Sequence, residues 1–191
     1  MFNLAPVPVP DLTGRTVLVT GAGKGIGAEL VRILHEKGAN VYAGVYPVDS
    51  AEPLPAAVAQ LKLDVTSQAD VDSAIARITA DTGRLDVLVN NAGVINPIGP
   101  LAEIATDDLA PAFAVNVMGV HRMAIAALPL LRASKGTILN AGTGAATTAM
   151  EGWTAYCSTK AGMQMLTRMM ALELGRTKRR VRCSPSTLTE R

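Results

Sequence analysis

The segment RTVLVTGAGKGIGAELVRILHEKG, residues 15–38, decides the fold. It begins with an apolar run rich in β-branched residues, which is typical of a buried strand. A glycine cluster follows, and then Leu30, Ile33 and Leu34 recur at helical spacing as far as Gly38, a typical C-cap residue. Strand, glycine turn and helix in this order predict the first unit of an α/β fold.

The same alternation of strand and helix continues along the chain. Several of the later apolar runs would be buried on both faces, and such strands need helices on both sides of a parallel sheet. We therefore expect one domain over residues 1–191, with a core at about 12–175, built on a doubly wound, Rossmann-type sheet of about six strands. Further strands are predicted at 40–46, 61–65, 85–90, 136–141 and 180–184.

Three later helices are predicted from their start signals. The first has Ser67 and Asp70 as an S-x-x-D signal. The second is capped by Asp107 or Asp108 and runs to about residue 131, and the third covers 152–174. Residues 47–60 contain three prolines, so we expect no full covering helix there.

Composition excludes several classes of protein. A net charge of +2 in 191 residues is too small to indicate nucleic-acid binding. The two histidines and two cysteines lie far apart, so we expect neither a metal site nor a disulfide framework. The N-terminus lacks the basic region of a signal peptide, and the late apolar run MAIAALPLL is shorter than a membrane span. We therefore expect a cytoplasmic protein with no membrane partner.

The glycine turn, residues 20–27, is suited to binding a phosphate. Its glycines allow the backbone to approach a pyrophosphate, and the helix that follows offers free N–H groups. The alternative is an ordinary glycine-rich connector. Chains that bind NAD carry an acid about twenty residues further on, but Val45 and Tyr46 stand there. The missing acid and the presence of Lys24 inside the turn favour NADP, with NAD as the alternative cofactor. The alternative for Lys24 is that of an ordinary surface residue.

Tyr156 and Lys160 stand four residues apart in WTAYCSTKAG, which puts both on one helical face. An ammonium group beside a phenol favours the phenolate form. Such a tyrosine can exchange a proton with a substrate oxygen while a nicotinamide carries the hydride.

The segments TGAGKGIG, NNAG, NVMG and YCSTK occur in this order, each at a strand end or on the expected helix. Together they resemble the short-chain dehydrogenase/reductase family over about residues 12–175. The resemblance implies an NAD(P)-dependent oxidoreductase that interconverts a small-molecule carbonyl and a secondary alcohol, and that forms a homodimer through the helices near 108–131 and 152–174.

The resemblance also implies roles for individual residues. Tyr156 is the acid/base, Lys160 assists it and holds the nicotinamide ribose, Asn116 supports a water relay, and Thr143 orients the carbonyl. Thr143 stands where the family usually has serine, but it keeps the hydroxyl. The alternative role for Thr143 is that of a polar residue at a strand end, and the alternative for Asn116 is that of a residue at a helix kink. The implied cofactor-binding residues are Gly21, Lys24, Gly25, Ile26, Gly27, Asp64, Val65, Asn91, Ala92, Gly93, Tyr156 and Lys160.

The last sixteen residues, 176–191, differ in character from the rest. They contain six basic residues and one acidic residue, whereas residues 1–175 contain twelve basic and fifteen acidic ones. The family pattern is lost after Val181, where Arg182 and Ser186 replace the usual Asn and Gly. We therefore expect the last family elements to be missing. A truncated, non-catalytic nucleotide-binding protein is the alternative function, and a protein whose basic tail binds an anionic partner is a third.

Overall fold

The computed structural model describes residues 11–175 and 182–188. It contains a six-stranded sheet with strand order β3-β2-β1-β4-β5-β6, in which all neighbouring strands are parallel. This confirms the predicted doubly wound parallel sheet. The strands are β1 (Thr16–Val19), β2 (Asn40–Val45), β3 (Ala59–Lys62), β4 (Val87–Asn90), β5 (Thr137–Thr143) and β6 (Arg182–Leu188). The helices are α1 (Gly25–Glu36), α2 (Gln68–Asp81), α3 (Ala110–Phe113), α4 (Val120–Ser134) and α5 (Thr154–Leu174).

Strand β1 is the point at which the strand order reverses. It pairs with β2 on one side, where Thr16 lies opposite Asn40, and with β4 on the other, where Val17 lies opposite Val87. The chain therefore leaves β1 and β4 in opposite directions, which opens a crevice at their carboxyl ends. Ligands of open α/β sheets bind in this crevice.

Two hydrophobic clusters cover the two faces of the sheet. One contains Leu18, Leu88 and Ile138 with residues of α2, α4 and α5, and the other contains Val17 and Val19 with residues of α1 and of the segment after β2. In that segment only a short 3₁₀ turn forms, at Val48–Ser50, as the three prolines predicted.

Helix starts were predicted with mixed success. Ser67 caps α2 as predicted, because its side chain accepts a hydrogen bond from the Asp70 N–H at 3.2 Å. The predicted caps Asp107 and Asp108 are wrong: both lie inside a 3₁₀ turn, Thr106–Leu109, with no side-chain cap. An N-cap residue needs extended backbone, and these two residues are already within a helical turn.

Between α3 and α4 the chain forms a π-helical segment, Ala114–Gly119. Such segments are rare and occur often at functional sites. Here the segment brings the buried Asn116 towards the crevice, and Gly119 allows the helix to approach Val65, since a Cβ at position 119 would lie 2.7 Å from Val65 Cγ2.

One helical stretch, Thr106–Ser134, is long and apolar enough by length and composition to cross a membrane, with a mean hydropathy of 1.5. The sequence expectation had considered only a shorter run within it. Its buried residues, among them Val120, Met123 and Leu131, belong to the main core cluster of the sheet. The stretch is therefore the core helix of this fold.

At the amino-terminal edge of the sheet, Asp86 forms a buried anchor. Arg15 and Arg84 donate to its carboxylate at 2.9 and 2.6 Å, and the Thr16 N–H donates at 3.0 Å. Burial raises the pKa of Asp86, but the hydrogen bonds from Arg84, Thr16 and Arg15 outweigh burial and lower it to about 2.

The end of the chain is partly described. Strand β6 pairs with β5 from Arg182 opposite Thr137 to Leu188 opposite Thr143, which confirms a sixth strand, and residues 180 and 181 of the predicted strand lie outside the described residues. Residues 176–181 and 189–191 of the predicted basic tail, and residues 1–10, lie outside the described residues.

Candidate active site

A cavity of about 770 Å³ lies at the carboxyl ends of the central strands. It is lined by nine of the predicted cofactor-binding residues, which come from three separate parts of the chain: Gly21, Lys24, Ile26, Gly27, Asp64, Val65, Asn91, Ala92 and Gly93. Tyr46, Pro47 and Ser50 from the segment after β2 complete one wall. The fold therefore brings these nine residues together, whereas Gly25, Tyr156 and Lys160, which were also predicted, are not among the lining residues.

The glycines of the turn are required by close packing. Gly21 has a φ of +62°, and a Cβ there would lie 2.7 Å from Ala92 Cα. A Cβ on Gly27 would overlap the Gly21 carbonyl oxygen and lie 2.7 Å from Asn91 Nδ2. A side chain at either position would push the turn away from the Asn-Ala-Gly segment, so the close packing of the turn against this segment depends on both glycines.

Thr20 positions the glycine turn, a role that the sequence analysis missed. Its hydroxyl accepts hydrogen bonds from the Asn91 and Ala92 N–H groups, at 3.1 and 3.0 Å. In return, Asn91 Nδ2 donates to the carbonyl oxygens of Thr20 and Gly21, both at 3.1 Å. These bonds hold the glycine turn against the end of β4. A hydroxyl residue directly before the first glycine was the available signal.

Tyr156 and Lys160 lie on α5 as predicted. Lys160 Nζ is 5.7 Å from the centre of the Tyr156 ring and donates to the Ala141 carbonyl oxygen at 2.9 Å. The lysine is 7% exposed, and burial lowers its pKa. A buried ammonium group therefore lies beside a partly exposed phenol, close enough to Gly93 that a Cβ there would be 3.7 Å from Nζ.

Asn116 holds the segment that follows β4. Its Oδ1 accepts from the Val94 N–H at 2.8 Å, and its Nδ2 donates to the Val94 carbonyl at 2.8 Å and to Thr159 Oγ1 at 2.9 Å. These contacts connect the π-helical segment, the cavity floor and α5. They give Asn116 a positioning role, and the predicted water relay stays a prediction.

Thr143 lies at the end of β5, where the strand passes into a 3₁₀ turn. Its hydroxyl accepts from the Ala145 N–H at 3.3 Å, so the oxygen is oriented by the backbone. The strand also supplies the Ala141 carbonyl that holds Lys160. The predicted catalytic residues thus lie on the π-helical segment, β5 and α5, and α5 contacts the other two through Thr159 to Asn116 and through Lys160 to Ala141.

Glu52 is a second residue that sequence reasoning missed. Its Oε1 accepts a hydrogen bond from the Gly25 N–H at 2.8 Å, at the start of α1. Its Oε2 accepts from Arg32 Nη2 at 3.1 Å. The hydrogen bond from Gly25, followed by that from Arg32, lowers the pKa of Glu52. A fixed negative charge therefore stands beside the glycine turn.

Comparison with known proteins gives a consistent result. A family model described as short chain dehydrogenase matches residues 15–189. D-threitol dehydrogenase of Mycolicibacterium smegmatis is 34% identical over 172 residues, which cover 86% of this chain and 66% of that protein. Human L-xylulose reductase is 36% identical over 172 residues, covering 89% of this chain and 70% of that protein. The chain therefore spans about two thirds of the length of these relatives.

Solved structures show the same similarity. A gluconate 5-dehydrogenase from Burkholderia cenocepacia, in complex with NADP and tartrate, superposes with a TM-score of 0.83 at 32% identity. The match covers 92% of this chain and 71% of that one. A 3-ketoacyl-(acyl-carrier-protein) reductase from Brucella melitensis complexed with NADH also has a TM-score of 0.83, at 25% identity over 91% of this chain and 74% of that one.

Proposed function

The chain belongs to the short chain dehydrogenase family, and from this premise we propose that it is an NAD(P)-dependent oxidoreductase that interconverts a carbonyl and a secondary alcohol. One observation carries the proposal: the buried Lys160 lies beside Tyr156 and next to Gly93, which lines the same cavity as the glycine turn. A cation, a phenol and a phosphate cradle are the groups that this chemistry needs.

We propose a small polyhydroxylated molecule as the substrate. The relatives and neighbours named above include proteins called D-threitol dehydrogenase, L-xylulose reductase and gluconate 5-dehydrogenase. Each of these names refers to a sugar, a sugar acid or a polyol.

The residues of the cavity fit a nicotinamide dinucleotide. Gly21 and Gly27 form the backbone cradle for the pyrophosphate, Asp64 and Val65 border the adenine end, and Gly93 borders the nicotinamide end. When bound, the nicotinamide supplies or accepts the hydride. Lys24 and the absence of an acid at Val45 and Tyr46 favour NADP(H) over NAD(H).

The proton is handled by this chain's own side chains. In the direction of reduction, the Tyr156 hydroxyl donates its proton to the substrate oxygen, and the Lys160 charge stabilises the phenolate that remains. The Thr143 hydroxyl donates a hydrogen bond to the same oxygen and orients it. In oxidation the same groups act in reverse.

The test compares Tyr156→Phe with the unchanged chain on a panel of ketoses and polyols, with NAD(P)H absorbance as the signal. Loss of a positioned acid/base should lower turnover by about 10²- to 10⁴-fold, with the dissociation constant of the dinucleotide nearly unchanged. Tyr42→Phe is the matched control, because the Tyr42 hydroxyl donates to Asp81 at 3.1 Å, outside the cavity. Near-normal turnover of Tyr156→Phe would exclude the proposed proton donor.

A chain that binds the dinucleotide but turns over none of the panel would favour the alternative of a non-catalytic nucleotide-binding protein.

We also propose a homodimer formed through α4 and α5, which carry exposed apolar side chains. These include Ile125, Met165, Met169 and Leu172. A cytoplasmic location stays a prediction of the sequence.

A further inference from the structure

The segment after β2 brings a carboxylate, that of Glu52, to the glycine turn. Glu52 does not occupy the position, about twenty residues after the turn, at which an acid is expected from the sequence. Glu52 lies seven residues beyond Val45, where the acid of an NAD-binding chain is expected. Its backbone N–H donates to the Gly23 carbonyl at 2.6 Å, and its side chain accepts from the Gly25 N–H at 2.8 Å. Glu52 is therefore held by both residues that flank Lys24, through its main chain to Gly23 and through its side chain to Gly25.

The position of Glu52 is held from the other side as well. Arg32 donates to Glu52 Oε2 at 3.1 Å, and is itself held by Glu29 at 3.1 Å and by the Pro53 carbonyl at 3.2 Å. The neighbouring Ala51 packs against the hydrophobic cluster under α1. The carboxylate is therefore preorganised, although its side chain is 44% exposed.

Glu52 stands at the rim of the cavity, beside the lining residues Gly23, Lys24 and Ser50. Lys24 begins α1 without a side-chain cap, and it forms no ion pair with any residue in the described part of the chain. The turn thus presents one unpaired cation and one fixed anion to an approaching nucleotide.

We propose that Glu52 is a specificity-determining residue that disfavours the adenosine 2′-phosphate of NADP(H) and opposes the attraction of Lys24. The inference rests on the proposed function. The Glu52 carboxylate accepts a hydrogen bond from the Gly25 N–H at the start of α1, a donor that a bound anion would otherwise use. Its negative charge repels a phosphate group, which carries a charge of about −1.5 to −2. A ribose with a free 2′-hydroxyl meets no such repulsion and can donate to the carboxylate. Lys24 and Glu52 together set the preference between the two dinucleotides.

The experiment measures dissociation constants for NADPH and NADH by fluorescence titration, in the unchanged chain, Glu52→Gln and Glu29→Gln. Glutamine keeps the shape and the acceptor for the Gly25 N–H but removes the charge. We expect Glu52→Gln to tighten NADPH binding about tenfold while NADH binding changes less than about twofold or weakens. Because the effect is electrostatic at an exposed site, it should shrink in 1 M salt.

Glu29→Gln is the matched control, because Glu29 pairs with the same arginine but, among the described residues, its side chain forms no hydrogen bond with the turn. It should leave the ratio of the two constants unchanged. An unchanged ratio in Glu52→Gln, or equal tightening of both dinucleotides, would overturn the inference and leave the proposed function standing. Failure of every chain to bind either dinucleotide would overturn the proposed function and the inference with it.

Discussion

Replacing Asn116 by alanine tests how the cavity floor is held. The side chain is 1% exposed and makes three hydrogen bonds, two to the Val94 backbone at 2.8 Å and one to Thr159 at 2.9 Å. Alanine removes all three bonds. Thr159 keeps a partner, because its hydroxyl also donates to the Tyr156 carbonyl at 2.9 Å. The cost therefore falls on the two backbone groups of Val94.

The size of the loss follows from how well water can replace the amide. A buried backbone group left without a partner costs about 1–3 kcal/mol. Val94 is 38% exposed, so water can reach part of its backbone, and each group should lie near the lower end of that range. We expect a total loss of about 2–3 kcal/mol in the free energy of unfolding. For a chain of this size, that loss lowers the melting temperature by roughly 4–12 °C.

Thermal and urea unfolding measure the loss, with Asn40→Ala as the matched control. Asn40 is an exposed residue at the start of β2, and its truncation should cost less than about 0.5 kcal/mol. Asn116→Asp should be at least as harmful as alanine, because an ionised carboxylate would face the Val94 carbonyl in place of the amide donor. A loss below about 1 kcal/mol for Asn116→Ala would refute the positioning role.

Three other variants test separate parts of the structure. Asp86→Asn should lower the free energy of unfolding at neutral pH, because the depressed pKa of Asp86 stabilises only the ionised carboxylate. The difference in the free energy of unfolding between the variant and the unchanged chain, measured by urea unfolding, should fade from pH 4 down towards the native pKa of about 2. Gly27→Ala should weaken dinucleotide binding by at least about tenfold, because its Cβ overlaps the turn, whereas Gly99→Ala, with open space around the new Cβ, should not. Ile125→Glu should convert the proposed dimer into a monomer, as measured by light scattering, whereas the exposed control Lys37→Glu should not. An unchanged molecular mass for Ile125→Glu would contradict an interface on α4.

Features that depend on local sequence could be predicted. The alternation of apolar runs predicted the parallel sheet, and the Ser67 signal predicted the start of α2, because strand burial and capping depend on residues close together in the chain. The caps Asp107 and Asp108 were predicted wrongly by the same rule. A carboxylate near a helix start does not show whether the backbone is extended or already helical, and there a 3₁₀ turn precedes α3.

Contacts between distant segments could not be predicted from spacing. Glu52 reaches Gly25 across 27 residues, and the Thr20 hydroxyl binds the end of β4 across more than 70. Neither pair has a periodic signal, because the first depends on the path of the irregular segment after β2 and the second on the pairing of β1 with β4. The residues of a motif could therefore be predicted, but not the neighbours that orient them.

The inward face of α5 explains why Lys160 is held in place. Lys160 and Thr167 are two helical turns apart and alternate along this face with the buried Met163 and Met170. Lys160 donates to the Ala141 carbonyl, and Thr167 accepts from Asn140 at 2.8 Å, so both polar residues bind the same strand, β5. Sliding the helix by one residue would break both bonds and put polar groups against the apolar cluster, and each buried group left unpaired costs about 1–3 kcal/mol. The register of α5 on β5, and with it the position of Tyr156, is therefore fixed by polar contacts within an apolar interface, and Lys160, the proposed partner of Tyr156, also helps to hold the helix.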